Sequence, residues 1–237
     1  MSKILVVPDT HLKPKMFDLA DKILREHKVD YVIQLGDNVD DFYCYGDQYR
    51  NHNARMLTFY RDYPNTIWLW GNHEASYILG RPVTGNIFAG REYARLYREN
   101  FNPKFIHLDG KVMFSHAGIF QKFIDENNLQ DCKNAEELVQ RTNQLNLLTL
   151  WRDNSPLWAR PQYDGLTKPK LIKDCLQVVG HTPMKGVIEM DSVVFVDVFS
   201  TSWGKKYGIE KMIIVDTEEP SFEAVDIDYR KEFGEGR

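Results

Sequence analysis

The chain has 237 residues, of which 27% are charged, and a formal net charge of −4. This length fits one domain with an ample core, and the acidic balance argues against a general nucleic-acid-binding surface. Cys44, Cys132 and Cys175 show no C-x-x-C spacing, and no run approaches the roughly 20 apolar residues of a membrane span, so a reduced, soluble, cytoplasmic chain is expected.

Lys3–Val7 reads as a buried strand, followed by helical spacing over 15–27 with Phe17, Leu19, Ala20, Ile23 and Leu24 on one face. A second strand is expected at 30–35, a helix at 50–63, and a third strand at 66–70 that places Trp68 and Trp70 in the core. This β-α-β-α-β order implies parallel strands joined by crossovers. The stretch 41–48 reads as a loop near a site, where Phe42, Tyr43, Tyr45 and the following Tyr49 either pack or line a substrate mouth. Gly80, Pro82 and Gly85 predict a loop over 76–87, and a helix follows at 91–99. Asp109-Gly110, between runs 105–108 and 111–115, is a hairpin signal. Asn134 with Glu137 predicts a capping box for a helix reaching about residue 148. Segment 155–169, with three prolines, Trp158 and Arg160, reads as a surface loop folding over something. Strands are expected at Leu176–Val179, 193–198, 212–215 and 222–227, the last three as an antiparallel meander. With no repeat, low-complexity tract or linker, residues 1–237 read as a single α/β domain.

Five motifs punctuate this pattern: Asp9-Thr10-His11, Gly36-Asp37-Asn38-Val39-Asp40, Gly71-Asn72-His73-Glu74, Ser115-His116-Ala117-Gly118 and Gly180-His181-Thr182-Pro183. Each follows an apolar, β-branched run, and so belongs to the carboxyl end of a strand, where open α/β layers place their sites. Taken singly, most are ordinary turn chemistry. An amide and an imidazole side by side after a hydrophobic strand are sharper, and the five in order are hard to explain by turns. Four of the seven histidines fall inside them, while His27, His52 and His107 read as ordinary surface or core residues.

These motifs resemble those of the calcineurin-like metallophosphoesterases, and within them the serine/threonine phosphoprotein phosphatase, phage-type and diadenosine tetraphosphatase branch. The resemblance runs from Asp9 to Pro183 and extends to the terminal strands. It implies a four-layer fold of two packed sheets flanked by helices. By the same resemblance Asp9 and His11 bind one divalent metal, Asn72, His116 and His181 bind a second, and Asp37 bridges both. His73 faces the leaving group as an acid, oriented by Asp40, and Asn72 also contacts substrate. The implied reaction is attack by a metal-bridging hydroxide on a phosphomonoester, with a phosphoprotein or nucleotide as substrate. Diadenosine polyphosphate hydrolysis and a phosphodiesterase are the alternatives, and a non-enzymatic scaffold is the rival from another class.

The residue types suit that chemistry. A bridging ligand must offer two charged oxygens to ions about 3.5–4 Å apart, and aspartate does so. Asn72 offers a neutral oxygen, which leaves the cluster electropositive for a phosphate dianion. Oxygen and imidazole ligation without thiolate suits Mn²⁺, Fe or Zn²⁺, with Mn²⁺ expected to support activity in vitro. Two departures from the family stand out. Pro183 occupies a position where many members carry a second histidine, and Asp41 stands where protein phosphatases carry a phosphate-clamping arginine. Arg160, in Leu157-Trp158-Ala159-Arg160-Pro161, is the compensating candidate, with Arg152 behind it.

Overall fold

The computed structural model describes residues 2–41, 47–202 and 205–225. Along the chain run β1 (Lys3–Val7), α1 (Lys15–Glu26), β2 (Tyr31–Gln34), α2 (Gln48–Asp62), β3 (Ile67–Trp68), α3 (Asn72–Leu79) and α4 (Gly90–Phe101). Next come β4 (Ile106–Asp109), β5 (Val112–Ser115), α5 (Gln121–Glu126), α6 (Ala135–Gln144), α7 (Leu147–Leu150) and α8 (Pro161–Asp164). The remainder is strand: β6 (Leu176–Val179), β7 (Ile188–Met190), β8 (Val193–Phe195), β9 (Thr201–Ser202), β10 (Lys205–Lys206), β11 (Met212–Asp216) and β12 (Ser221–Val225).

Two five-stranded mixed sheets result, ordered β12-β11-β1-β2-β3 and β4-β5-β6-β8-β7. In the first, β1, β2 and β3 are parallel while β11 and β12 run antiparallel. In the second, β5, β6 and β8 are parallel, edged by antiparallel β4 and β7. Side-chain alternation builds the layers. Ile4, Val6, Ile33, Val112, Phe114, Val178 and Ile213 meet between the sheets. From the other face of the first sheet, Leu5, Val7, Val32 and Trp68 pack against Phe17, Ile23, Phe59 and Tyr97 of α1, α2 and α4. Met113, on the outer face of the second sheet, packs with Phe123, Leu138 and Leu150 of α5, α6 and α7. Helices, sheet, sheet, helices: the four-layer arrangement implied by the family resemblance is the one observed.

The hairpin forms across Asp109-Gly110, with Gly110 at φ 55°, and Asn134 caps α6 by accepting the Glu137 amide at 2.9 Å. Four expectations fail. The helix expected to reach about residue 148 stops at Gln144, where Leu145 turns extended, and the short α7 follows separately. Segment 76–87 does not begin as a loop, because α3 starts at Asn72 and ends only at Gly80, whose φ of 65° makes it a left-handed C-cap. The glycine marks the helix end, not its absence. The third strand is shorter than 66–70: the Leu69 amide still donates to the Gln34 carbonyl, but the Trp70 amide donates to the Lys104 carbonyl and the Lys104 amide to the Trp68 carbonyl, at 2.9 and 3.0 Å. The terminal meander also fails: β8 lies in the second sheet beside β6, and only β11 and β12 pair as a hairpin. Val193, Val194, Phe195 and Val196 are buried in succession, which suits an interior parallel strand covered on both faces.

Candidate metal centre

The five motifs converge at the carboxyl ends of β1, β2, β3, β5 and β6. Their loops are held in conformations that side chains seldom adopt. His11, Leu12, Asp37 and His181 sit at φ 40°, 59°, 54° and 64°, and Gly36 at 101°. Backbone bonds lock these turns: the His11 amide donates to the Asp37 carbonyl at 2.9 Å, and the His181 amide to Asp9 Oδ2 at 2.8 Å. Glu74, fully buried, is the clamp beneath them, because its carboxylate accepts the amides of Asp37, Asn38 and Gly71 at 2.9, 2.5 and 3.1 Å. Burial, with Asp37 nearby, pushes its carboxyl up to about 7 against the opposing pull of those amides.

Two ligand sets share Asp37. In one, His116 Nε2, Asn72 Oδ1 and His181 Nδ1 lie 2.9, 3.0 and 3.1 Å from each other. Donors held about 2.1 Å from one ion at right angles stand about 3.0 Å apart, so this spacing fits a shared ion. His116 Nδ1 donates to the Leu35 carbonyl at 2.9 Å, which leaves its Nε2 lone pair facing the set. Asp37 Oδ2 is 3.4 Å from that Nε2 and 3.7 Å from His11 Nε2, between the two sets. The other set is Asp9, His11 and Asp37. His11 Nδ1 is turned to the Asp40 carbonyl at 3.0 Å, again freeing Nε2. Asp9 Oδ1 is buried without a hydrogen-bond partner, an atom that a cation would satisfy. The structure thus brings together the residues expected from sequence, in clusters able to hold divalent metal.

Charge is unbalanced in the same sense. Burial pushes Asp9 up, with Asp197 and Asp37 adding to it against His116. His116 is raised to about 9, since Asp37 and Asp9 outweigh the burial that opposes its charge. His181 goes the other way, lowered by burial and by His116 and Arg160. Dications between these groups would relieve the carboxylate repulsion and keep the imidazoles neutral.

His73, Asp40 and His11 also cluster, but this set is already spoken for. His73 Nδ1 bonds Asp40 Oδ1 at 2.6 Å, and the Tyr77 hydroxyl donates to Asp40 Oδ2 at 2.8 Å. His73 Nε2 points back at Asp37 Oδ2, 3.9 Å away. Asp37 and Asp40 raise His73 to about 10 against burial.

A cleft of about 330 Å³ opens over these residues, lined also by Lys13, Asp41, Trp158, Arg160, Asp197 and Ser200. Segment 155–169 does fold over the site: Trp158 stands edge-on to His181 at 5.6 Å, and Arg160 Nη1 donates to Thr182 Oγ1 at 3.0 Å. Arg152 is exposed and is not among the cleft-lining residues. Asp41 neither turns away nor stands bare, since it lines the cleft with Oδ2 3.5 Å from Lys13 Nζ. Tyr49 packs on Tyr93 at 5.4 Å, away from the cleft lining, while Phe42, Tyr43, Cys44 and Tyr45 lie outside the described residues. Sequence reasoning missed the roles of Glu74, Tyr77, Asp197 and Lys13. Only Glu74 carried a signal, as the last residue of a recognised motif.

Among the described residues no helix is long and apolar enough to cross a membrane, and Cys132 and Cys175 are free thiols. A family model described as calcineurin-like phosphoesterase matches residues 2–210. No curated protein matches the sequence. Solved structures share the fold. A point mutant of a cold-active protein tyrosine phosphatase superposes at TM-score 0.58 and 18% identity, over 95% of this chain and 81% of that one. The cold-active protein-tyrosine phosphatase of the psychrophile Shewanella sp. gives 0.54 and 17%, over 95% and 81%. The chain belongs to the calcineurin-like phosphoesterases. It is a metal-dependent phosphoric ester hydrolase.

Proposed function

We propose that the protein hydrolyses phosphomonoesters at a dinuclear metal centre, in the manner of the serine/threonine protein phosphatases. The observation that carries this reading is His73, held by Asp40 at 2.6 Å beside the carboxylate shared by both ligand sets. Asp9, His11 and Asp37 would hold one ion, and Asp37, Asn72, His116 and His181 the other. When bound, the ions supply Lewis acidity and a water acidic enough to attack phosphorus near neutral pH.

The remaining work belongs to the chain. Asp40 accepts the Nδ1–H of His73, so the proton available for the departing ester oxygen is on Nε2. Tyr77 fixes Asp40 in turn. Arg160, tethered by Thr182, is placed to fork the phosphoryl oxygens. Trp158 covers the His181 flank and limits water there. Ions of the Mn²⁺, Fe or Zn²⁺ type suit these donors, with Mn²⁺ the choice for assay.

Asp41 favours a second reading, a diadenosine polyphosphate hydrolase, because it replaces the arginine that protein phosphatases carry at that position. Mn²⁺-loaded protein assayed on an aryl phosphate monoester and the matching diester tests the proposal. Faster monoester turnover is expected. Faster diester turnover overturns it in favour of a phosphodiesterase, and absence of both activities favours a scaffold.

A further inference from the structure

We infer that Lys13 is a second phosphate-binding cation of this cleft and that Asp41 is the residue that positions it. The inference rests on the phosphoesterase reading above and adds to it the residue that meets substrate on the His11 flank.

The backbone places Lys13 first. Two consecutive left-handed residues, His11 and Leu12, turn the chain back so that the Lys13 amide bonds the Thr10 carbonyl at 2.9 Å. Lys13 is thereby rooted two residues from a candidate metal ligand, and its side chain lines the cleft. Its ammonium lies 3.5 Å from Asp41 Oδ2 and 3.5 Å from the His11 carbonyl. Both contacts exceed the roughly 2.7–2.9 Å of a charge-assisted hydrogen bond. The ammonium is held in place, but its three donors are not consumed.

Charge supplies the second argument. Asp41 and Asp197 line the cleft beside the ligand sets and would repel an incoming phosphoryl group. Among the described cleft-lining residues, Lys13 and Arg160 are the lysine and arginine cations. Arg160 sits on the His181 flank, bonded to Thr182, and Lys13 on the His11 flank. In the Lys13–Asp41 pair the lysine side chain is 21% exposed and the aspartate 10%, so the lysine is the more accessible partner. An aspartate where an arginine was expected is thus answered by a lysine reaching in from the first motif.

A pure repulsion model and this assignment predict opposite signs for one substitution. If Asp41 only repels anions, Asp41→Asn tightens phosphate binding. If it positions Lys13, the same change weakens binding although a negative charge is lost. Orthophosphate binding to Mn²⁺-loaded protein is measured by calorimetry, with metal content determined for each variant. Lys13→Met should weaken binding roughly 10- to 100-fold, as for loss of a hydrogen bond to a charged group. Lys13→Arg should recover most of it, Asp41→Asn should also weaken it, and the double variant should be no worse than Lys13→Met. With an aryl phosphate, the KM of Lys13→Met should rise by more than its kcat falls. Wild-type affinity in Lys13→Met, or a loss explained entirely by missing metal, overturns the assignment of Lys13. Tighter binding in Asp41→Asn overturns that of Asp41. A wild-type protein that hydrolyses no phosphoester fails the underlying reading instead, so the two failures are distinguishable.

Discussion

His11, Asp37 and His181 hold left-handed backbone conformations that cost of order 1–3 kcal/mol each, and each carries a donor in the candidate metal sets. The neighbours that enforce them allow no spare volume. A Cβ on Gly180 would overlap Asp9 Oδ1, the buried oxygen without a hydrogen-bond partner. Gly180→Ala should therefore fold but lose bound metal and activity together, as elemental analysis beside circular dichroism would show; retained metal would mean Asp9 is not a ligand. His73→Asn should keep its metals yet turn over esters with poor leaving groups roughly 10²-fold more slowly. Equal losses on activated and unactivated esters would remove the acid role. The residues that converge were legible because their chemistry is written in short motifs of fixed order. Glu74 stood in one of those motifs, but its part as a clamp depends on amides of another loop. Tyr77, Asp197 and Lys13 are single residues whose meaning exists only in three dimensions.

At the scale of elements, α2 contributes a buried histidine that sequence reading left as ordinary. His52 meets Thr10 Oγ1 at 3.2 Å, and that hydroxyl donates to Asn38 Oδ1 at 2.8 Å, tying α2 to two site loops. The hydroxyl proton is committed to Asn38, so Nε2 of His52 is the donor and its Nδ1 is buried without a partner. Burial, with Lys13 and His11 adding to it, lowers His52 to about 3. A histidine depressed below its unfolded value of about 6.5 leaves the unfolded chain binding more protons between those values, so stability falls as pH drops through that window. Metal-free wild type should lose up to about 1.4 kcal/mol per pH unit there through this group. His52→Gln should have a shallower slope of Tm against pH between about 6.5 and 4.5; parallel slopes would show that His52 titrates freely. Helical spacing identified α1 because its burial is one-sided, and the Asp109-Gly110 turn identified the hairpin. Periodicity misplaced β8, buried on both faces, because an unbroken apolar run does not say which sheet will take it.

Across the whole molecule, the loops that carry the candidate donors of the two packed sheets meet at one end of the sandwich. Asp9, His11, Asp37 and Asn72 follow strands of the first sheet, while His116 and His181 follow β5 and β6 of the second. The second candidate donor set therefore spans the sandwich, and an ion held there would couple both sheets. Chelation should lower Tm, by the equivalent of about 2.7 kcal/mol for one ion supplied at 100 times its Kd. An unchanged Tm would mean the sheets are not bridged by metal. The mixed α/β class and the strand ends were readable from sequence, whereas the pairing of distant strands, such as β1 with β11, required the folded chain.

If two ions share Asp37, the metal content of the protein must follow that carboxylate. Elemental analysis of Mn²⁺-saturated protein after buffer exchange should find two ions per chain in wild type. Asp37→Asn should retain fewer than one, with phosphoester hydrolysis nearly abolished. Full occupancy and undiminished turnover in Asp37→Asn would contradict the shared carboxylate and the dinuclear mechanism built on it.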